Sequence, residues 1–200
     1  MDDGWTPLLI AAQEGHAGVV DLLIAAGANV NDATVDEATP LYAAAHNGHS
    51  DVVEILIKSG ADLNRATNAG FTSLMMAAQN DHADIVDLLI ATGANVDDAW
   101  ADATPLNVAA HFGRSDVVEM LIENGADDKA SADGASSLHA AAHFGHSVEM
   151  LIENGADLNR VTQNGKTPAF AAMFGHRDAF AFDMFLGALG CDANRMLIKS

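Results

Sequence analysis

His139 and His143 stand four residues apart, a spacing that sets two imidazoles on one face of a helix, and His146 follows close behind. Two such rings could begin a metal site, but a tetrahedral centre needs three or four convergent ligands. No cysteine or second-helix carboxylate completes the set. The one thiol, Cys191, has no assigned base beside it, and neither a glycine-rich phosphate loop nor a nucleophile elbow occurs. Acids are abundant, 28 Asp and Glu in 200 residues, yet abundance creates no paired acid and base. The sequence therefore nominates no catalytic residue, no metal set and no cofactor, and the chemistry it offers is that of surface recognition.

The elements that carry these side chains come from a repetition. A Thr-Pro-Leu element recurs at Thr6, Thr39, Thr72, Thr104, Ser136 and Thr167, and a Gly-Ala element at Gly27, Gly60, Gly93, Gly125, Gly155 and Gly187. In the second copy the Thr39 hydroxyl can cap a helix whose first position takes Pro40, where a missing N–H costs nothing. Leu41, Ala44 and Ala45 follow on one face, and Gly48 ends the helix with a left-handed residue. Ser50 and Asp51 open a second helix, Val52, Val53, Ile55, Leu56 and Ile57 supply its apolar side, and Gly60 stops it. The segment from Asp62 to Ala69 has no helical period and is expected to form a projecting turn.

A period near 33 residues carrying Thr-Pro-Leu, Ala-Ala, Gly-His and Gly-Ala in that order resembles the ankyrin repeat family, from about Asp3 to Gly187. The resemblance implies an all-α solenoid of stacked helix-turn-helix units with projecting β-turn or hairpin loops. It divides residues 1–187 into six repeats, at about 3–35, 36–68, 69–100, 101–132, 133–163 and 164–188, with 189–200 as a tail. It also gives His16, His49, His82, His139, His146 and His176 a packing role within and between repeats. Turn tips and the exposed ends of first helices line a concave binding face in this family. By position these are Trp5, Asp36, Ala38, His46, Asn47, Phe71, Gln79, Asn80, Trp100, Asp102, His111, Phe112, Asp133, His143 and Phe144. Aromatics are concentrated there in a chain with 6% of them overall, and they dominate interface energetics. The bland alternative is that Phe112, Phe144 and Phe174 pack sideways on adjacent repeats. Asn64 and Asn159 resemble acceptors of asparagine hydroxylases, although such residues more simply bond their own turn.

Departures from the pattern carry their own expectations. Glu37 and Asp81 stand where other copies have glycine, so both should adopt a left-handed backbone at some cost. The fifth copy lacks two residues after His146, and two residues turn a helix by about 200°; its second helix should start late. Near-identical blocks, 118–127 and 148–157, point to duplication of a repeat. Phe180, Phe182, Met184, Phe185 and Leu189 crowd the sixth copy. Either the tail folds over them as a cap or they form an end that dimerises; the expectation is a capped monomer.

Half the residues are hydrophobic, enough for a continuous core, yet no apolar run reaches the ~18 residues of a membrane span. The chain opens on Met1-Asp2-Asp3 without the basic and apolar stretches of a secretory signal, and a single cysteine fits a reducing, cytoplasmic setting. A net charge of −19 with no basic cluster argues against nucleic acid and toward a protein or peptide with a basic surface. The function expected is a non-enzymatic protein-interaction module, an adaptor. The competing class is a structural or designed scaffold with no cognate partner.

Overall fold

The computed structural model describes residues 3–98, 104–128 and 135–175; Trp100, Asp102, Asp133, His176 and the proposed C-terminal cap lie outside them. The described residues form helices and turns, with no strand. The chain divides into two compact units, residues 1–100 and 101–200. In the first, α1 (Pro7–Gln13), α3 (Pro40–Asn47) and α5 (Ser73–Gln79) pack in a row. Their partners α2 (Ala17–Ala25), α4 (Ser50–Lys58) and α6 (Ala83–Ala91) make a second row behind them. In the second unit α7 (Pro105–Phe112), α9 (Ser137–Phe144) and α11 (Pro168–Gly175) form a row, with α8 (Ser115–Glu123) on α7 and α10 (Val148–Glu153) on α9.

The helix starts follow from the residues expected to make them. Thr6, Thr39, Thr72 and Thr104 sit in extended backbone and accept the N–H of Leu9, Tyr42, Met75 and Asn107 at 3.1–3.3 Å. Each such cap contributes about 1 kcal/mol. First helices end at Gly48, Gly113 and Gly145 with φ of 78°, 70° and 78°. Second helices open where expected, α4 at Ser50 with Asp51 in its first turn. His49, not Ser50, holds the N-cap position of α4 and makes no side-chain cap bond, while the Ser50 hydroxyl donates to Asp84. Between the rows lie fully buried leucines, Leu8, Leu41, Leu74 and Leu89 in one unit and Leu106, Leu121 and Leu138 in the other. Each contributes about 1.5–3 kcal/mol by leaving water, and alanines such as Ala44 and Ala109 let neighbouring helices approach.

Successive repeats are tied by side chains at fixed places. The His49 Nε2–H donates to the Gln13 carbonyl at 2.8 Å, and its ring lies where a Cβ on Gly15 would sit 2.6 Å away. His82 does the same over Gly48, and His146 covers Gly113. These glycines are therefore required twice, by a left-handed φ and by an imidazole in van der Waals contact. At the turns, the Asn31 Oδ1 accepts the Asp62 N–H at 2.8 Å and the Asn64 Oδ1 accepts the Asn95 N–H at 2.9 Å. This corrects the expectation for Asn64. Its own turn is closed by Asp62, whose Oδ1 accepts the Asn64 N–H at 3.0 Å, while the Asn64 side chain reaches the next repeat.

Both departures at glycine positions take the backbone expected of them, with φ of 64° at Glu37 and 66° at Asp81. Glu37 is compensated by Arg65, whose Nε donates to its carboxylate at 3.1 Å while Nη1 donates to the Asn31 carbonyl at 2.9 Å. The deletion in the fifth repeat also has its expected effect. Ser147 is left-handed, φ 53°, and α10 keeps six residues against nine in α8.

Candidate protein-binding surface

Thr34 closes a turn tip by donating its N–H to the Ala38 carbonyl at 3.0 Å and accepting the Ala38 N–H on its hydroxyl at 3.1 Å. Thr67 and Phe71 repeat this geometry, as do Thr162 and Lys166. Asp36 is exposed at such a tip, and its carbonyl accepts the Asn68 N–H at 3.0 Å. Ala38 and Phe71 are half-buried at the tip bases, whereas Trp5 is 52% exposed. Among the described residues the tips thus present Trp5, Val35 and Val161 as exposed large apolar side chains among polar ones.

The ends of the first helices differ between the units. In the first unit the terminal positions carry His46-Asn47 and Gln79-Asn80, and their amides are engaged with the scaffold. Asn47 Nδ2 donates to the Ala43 carbonyl at 2.8 Å, and Asn80 Nδ2 donates to the His46 carbonyl at 2.9 Å. His46 touches Met76 Sδ at 3.4 Å and stacks on Tyr42 with centroids 6.3 Å apart. Tyr42 was not among the expected site residues; its burial raises the phenol above its ordinary pKa, which keeps the hydroxyl protonated.

In the second unit the same positions carry His111-Phe112 and His143-Phe144, and here the rings meet. His111 lies 4.3 Å from Phe144 and 4.8 Å from Phe112, centroid to centroid, and His143 lies 4.7 Å from Phe144, edge to face. Phe112 is 44% and Phe144 40% exposed. Sideways packing and exposure, expected as alternatives, coexist: Phe144 leans on a ring of the preceding repeat while part of its face stays in water. Partial desolvation lowers the His111 pKa, and the neighbouring His143 lowers it further. His143 Nδ1 makes a long contact, 3.4 Å, with the Ala171 carbonyl. Phe174 has its side chain outside the described residues.

The histidine pair that suggested a metal is divided by its surroundings. His139 is buried, with Nδ1 accepting the Ser136 N–H at 3.2 Å and Nε2 donating to the Lys166 carbonyl at 3.1 Å. Both its nitrogens are thus used in joining the fifth repeat to the sixth. His143, on the same helix, is exposed among the phenyl rings.

Comparison with known families decides what this architecture is. Residues 1–67 and 60–132 match ankyrin repeats as three-copy arrays, and residues 133–163 match a single ankyrin repeat. The chain belongs to the ankyrin repeat family. No curated protein matches it. Ankyrin repeats mark protein–protein interaction modules, and the family is typically non-enzymatic. Among the described residues of this ankyrin chain, no helix is long and apolar enough to cross a membrane.

Proposed function

We propose that this ankyrin array is a non-enzymatic adaptor that binds a protein or peptide partner along its first-helix ends and turn tips, the surface that is concave in the family. The observation that carries this reading is the contiguous cluster of His111, Phe112, His143 and Phe144, whose phenyl rings stay 40–44% exposed although each touches an imidazole. Exposed aromatics held rigid by neighbours lose little entropy on binding, which makes them effective anchors. Within the first unit, His46, Asn47, Gln79 and Asn80 at helix ends, with Trp5, Asp36, Ala38 and Phe71 at the tips, are proposed as contact positions of their own. Trp100, Asp102 and Asp133 are proposed as further contact positions from their place in the sequence repeat alone.

The partner surface is proposed to be basic, because a chain of net charge −19 attracts cations and repels polyanions. A reducing, cytoplasmic setting suits a chain with one cysteine. Affinity capture with the full chain, followed by titration of the captured partner, tests the reading. Phe112→Ala with Phe144→Ala should weaken that partner by at least ~2 kcal/mol while helical circular dichroism is retained. An undiminished affinity would instead favour a repeat scaffold without a cognate partner at this surface.

A further inference from the structure

The same cluster has a chemistry more specific than apolar contact. Phe112 and Phe144 are the last residues of α7 and α9, and His111 and His143 lie in the last turns. Helix C-termini carry roughly half a negative charge each, from carbonyls without intrahelical partners. An exposed phenyl face is likewise electron-rich, and a neutral imidazole offers a lone pair. Three kinds of weakly negative group therefore converge at one place on a chain that is already strongly anionic. The described residues hold such a contact internally: Lys166 Nζ lies 5.8 Å from the centroid of the Phe170 ring.

We propose that the His111–Phe112–His143–Phe144 cluster is a pH-gated receptor for an arginine side chain of a basic partner segment. It rests on the adaptor reading and adds to it the partner's chemistry and its regulation. A guanidinium is flat, stacks on aromatic faces and donates from a fixed fork. Stacked on Phe112 or Phe144, it could donate to an imidazole nitrogen while its charge meets the helix C-termini. Protonation of the imidazoles reverses each of these terms. The acceptor lone pair becomes an N–H donor, and a positive charge appears 4.3–4.8 Å from the rings the guanidinium would use.

The groups around the cluster leave the imidazoles in control of the gate. α8 carries Asp116, Glu119 and Glu123, and α10 carries Glu149 and Glu153, all exposed. α11 has no charged residue, and α9 adds only the buried His139. Arg114, at the cap of α8, is occupied by contacts of its own. His146 lies against Gly113. The neighbouring charge that acts on His111 is that of His143, and together with burial it keeps His111 neutral to a lower pH than an ordinary imidazole. The gate is therefore open at neutral pH and closes on acidification, at a pH below the ordinary imidazole range.

The test uses the full chain with hexa-arginine as the probe and hexa-citrulline, its neutral isostere, as the control, at about 150 mM salt to screen diffuse attraction. Wild type should bind hexa-arginine at about pH 7.5 and lose at least ~fivefold in affinity at about pH 5.5. Phe112→Leu with Phe144→Leu keeps apolar bulk and removes the ring quadrupole, so it should lose about fivefold at the higher pH. His111→Gln with His143→Gln keeps an acceptor that does not titrate, and should bind normally at about pH 7.5 with a flat pH profile. The proposal is overturned if hexa-citrulline binds equally, if the Leu variant binds like wild type, or if the Gln variant still loses binding on acidification. Should either of the last two results occur while the Ala variants still lose the captured partner, the docking surface stands and the cation receptor falls.

Discussion

Ser73 and Ser137 occupy the first position of α5 and α9, where Pro7, Pro40, Pro105 and Pro168 stand in the other repeats. Both are buried, and among the described residues neither hydroxyl has a hydrogen-bond partner. A buried unsatisfied hydroxyl costs about 1–3 kcal/mol, so proline should restore what the pattern provides elsewhere. The two sites nevertheless differ in their backbone. The Ser137 N–H donates to Asp128 Oδ1 at 2.7 Å, whereas the N–H at the start of a helix such as α5 has no intrahelical acceptor. Thr72 is already extended, with φ −92° and ψ 167°, as a residue before proline prefers. Ser73→Pro is therefore expected to stabilise by about 0.5–1.5 kcal/mol, and Ser137→Pro to gain nothing or to lose. Denaturant midpoints at unchanged m-value decide between these outcomes. Gly48→Ala is the opposite case. It forces a left-handed alanine against the His82 ring, 2.6 Å from the new Cβ, and should cost about 1–3 kcal/mol in the same measurement.

At the scale of the element, α10 is the weak unit. Losing two residues removes its first turn, and the chain enters it through a left-handed Ser147 whose hydroxyl lies 3.0 Å from that of Ser115. Only Leu151 of this helix is fully buried, against Val117, Val118 and Leu121 in α8. In a repeat array stability is a sum of repeat and neighbour terms. Amide exchange should accordingly be faster from Ser147 through α11 than in α3 to α6, and uniform protection would show that the deletion is absorbed without cost. Ser147→Gly removes the left-handed strain and should slow exchange in α10 by about 0.5–1 kcal/mol equivalent. Much of this architecture was legible in the sequence. Threonine caps, glycine stops, the two left-handed acids and the late helix all follow from local residue types. Less legible were features that depend on a side chain about 33 residues away. Asn64 looks from its own turn like a local cap, and only the stacked neighbour turns its Oδ1 to the Asn95 N–H. The repeated His-Phe dipeptide is plain in the sequence, but its half-exposed rings and the His111–Phe144 contact follow from repeat spacing rather than residue type.

Over the whole molecule the dominant quantity is charge. With 28 acids against nine Lys and Arg, the folded chain repels itself, and pairs such as the exposed Lys58–Glu54 and the half-buried Arg65–Glu37 offset little of it. Salt screens that repulsion, the Debye length falling from about 30 Å at 0.01 M to below 10 Å above 0.1 M. Raising sodium chloride across that range should therefore raise the melting temperature, and a flat response would show that the acids are too dispersed to matter. Acidification brings two effects of opposite sign. Any loss of net negative charge relieves repulsion. His111 works the other way, because its folded pKa is lowered below the unfolded value. Its contribution to stability is complete above about pH 6.5 and is lost as pH falls from there toward the lowered folded value, the range in which the unfolded chain binds more protons. High salt suppresses the first effect more than the second, since His111 is partly desolvated and its partner His143 is close. In about 0.3 M salt, stability should decline as pH falls below about 6.5, and His111→Gln should flatten that decline, read from denaturant midpoints across the range. An identical slope in wild type and variant would place the acid sensitivity elsewhere in the chain.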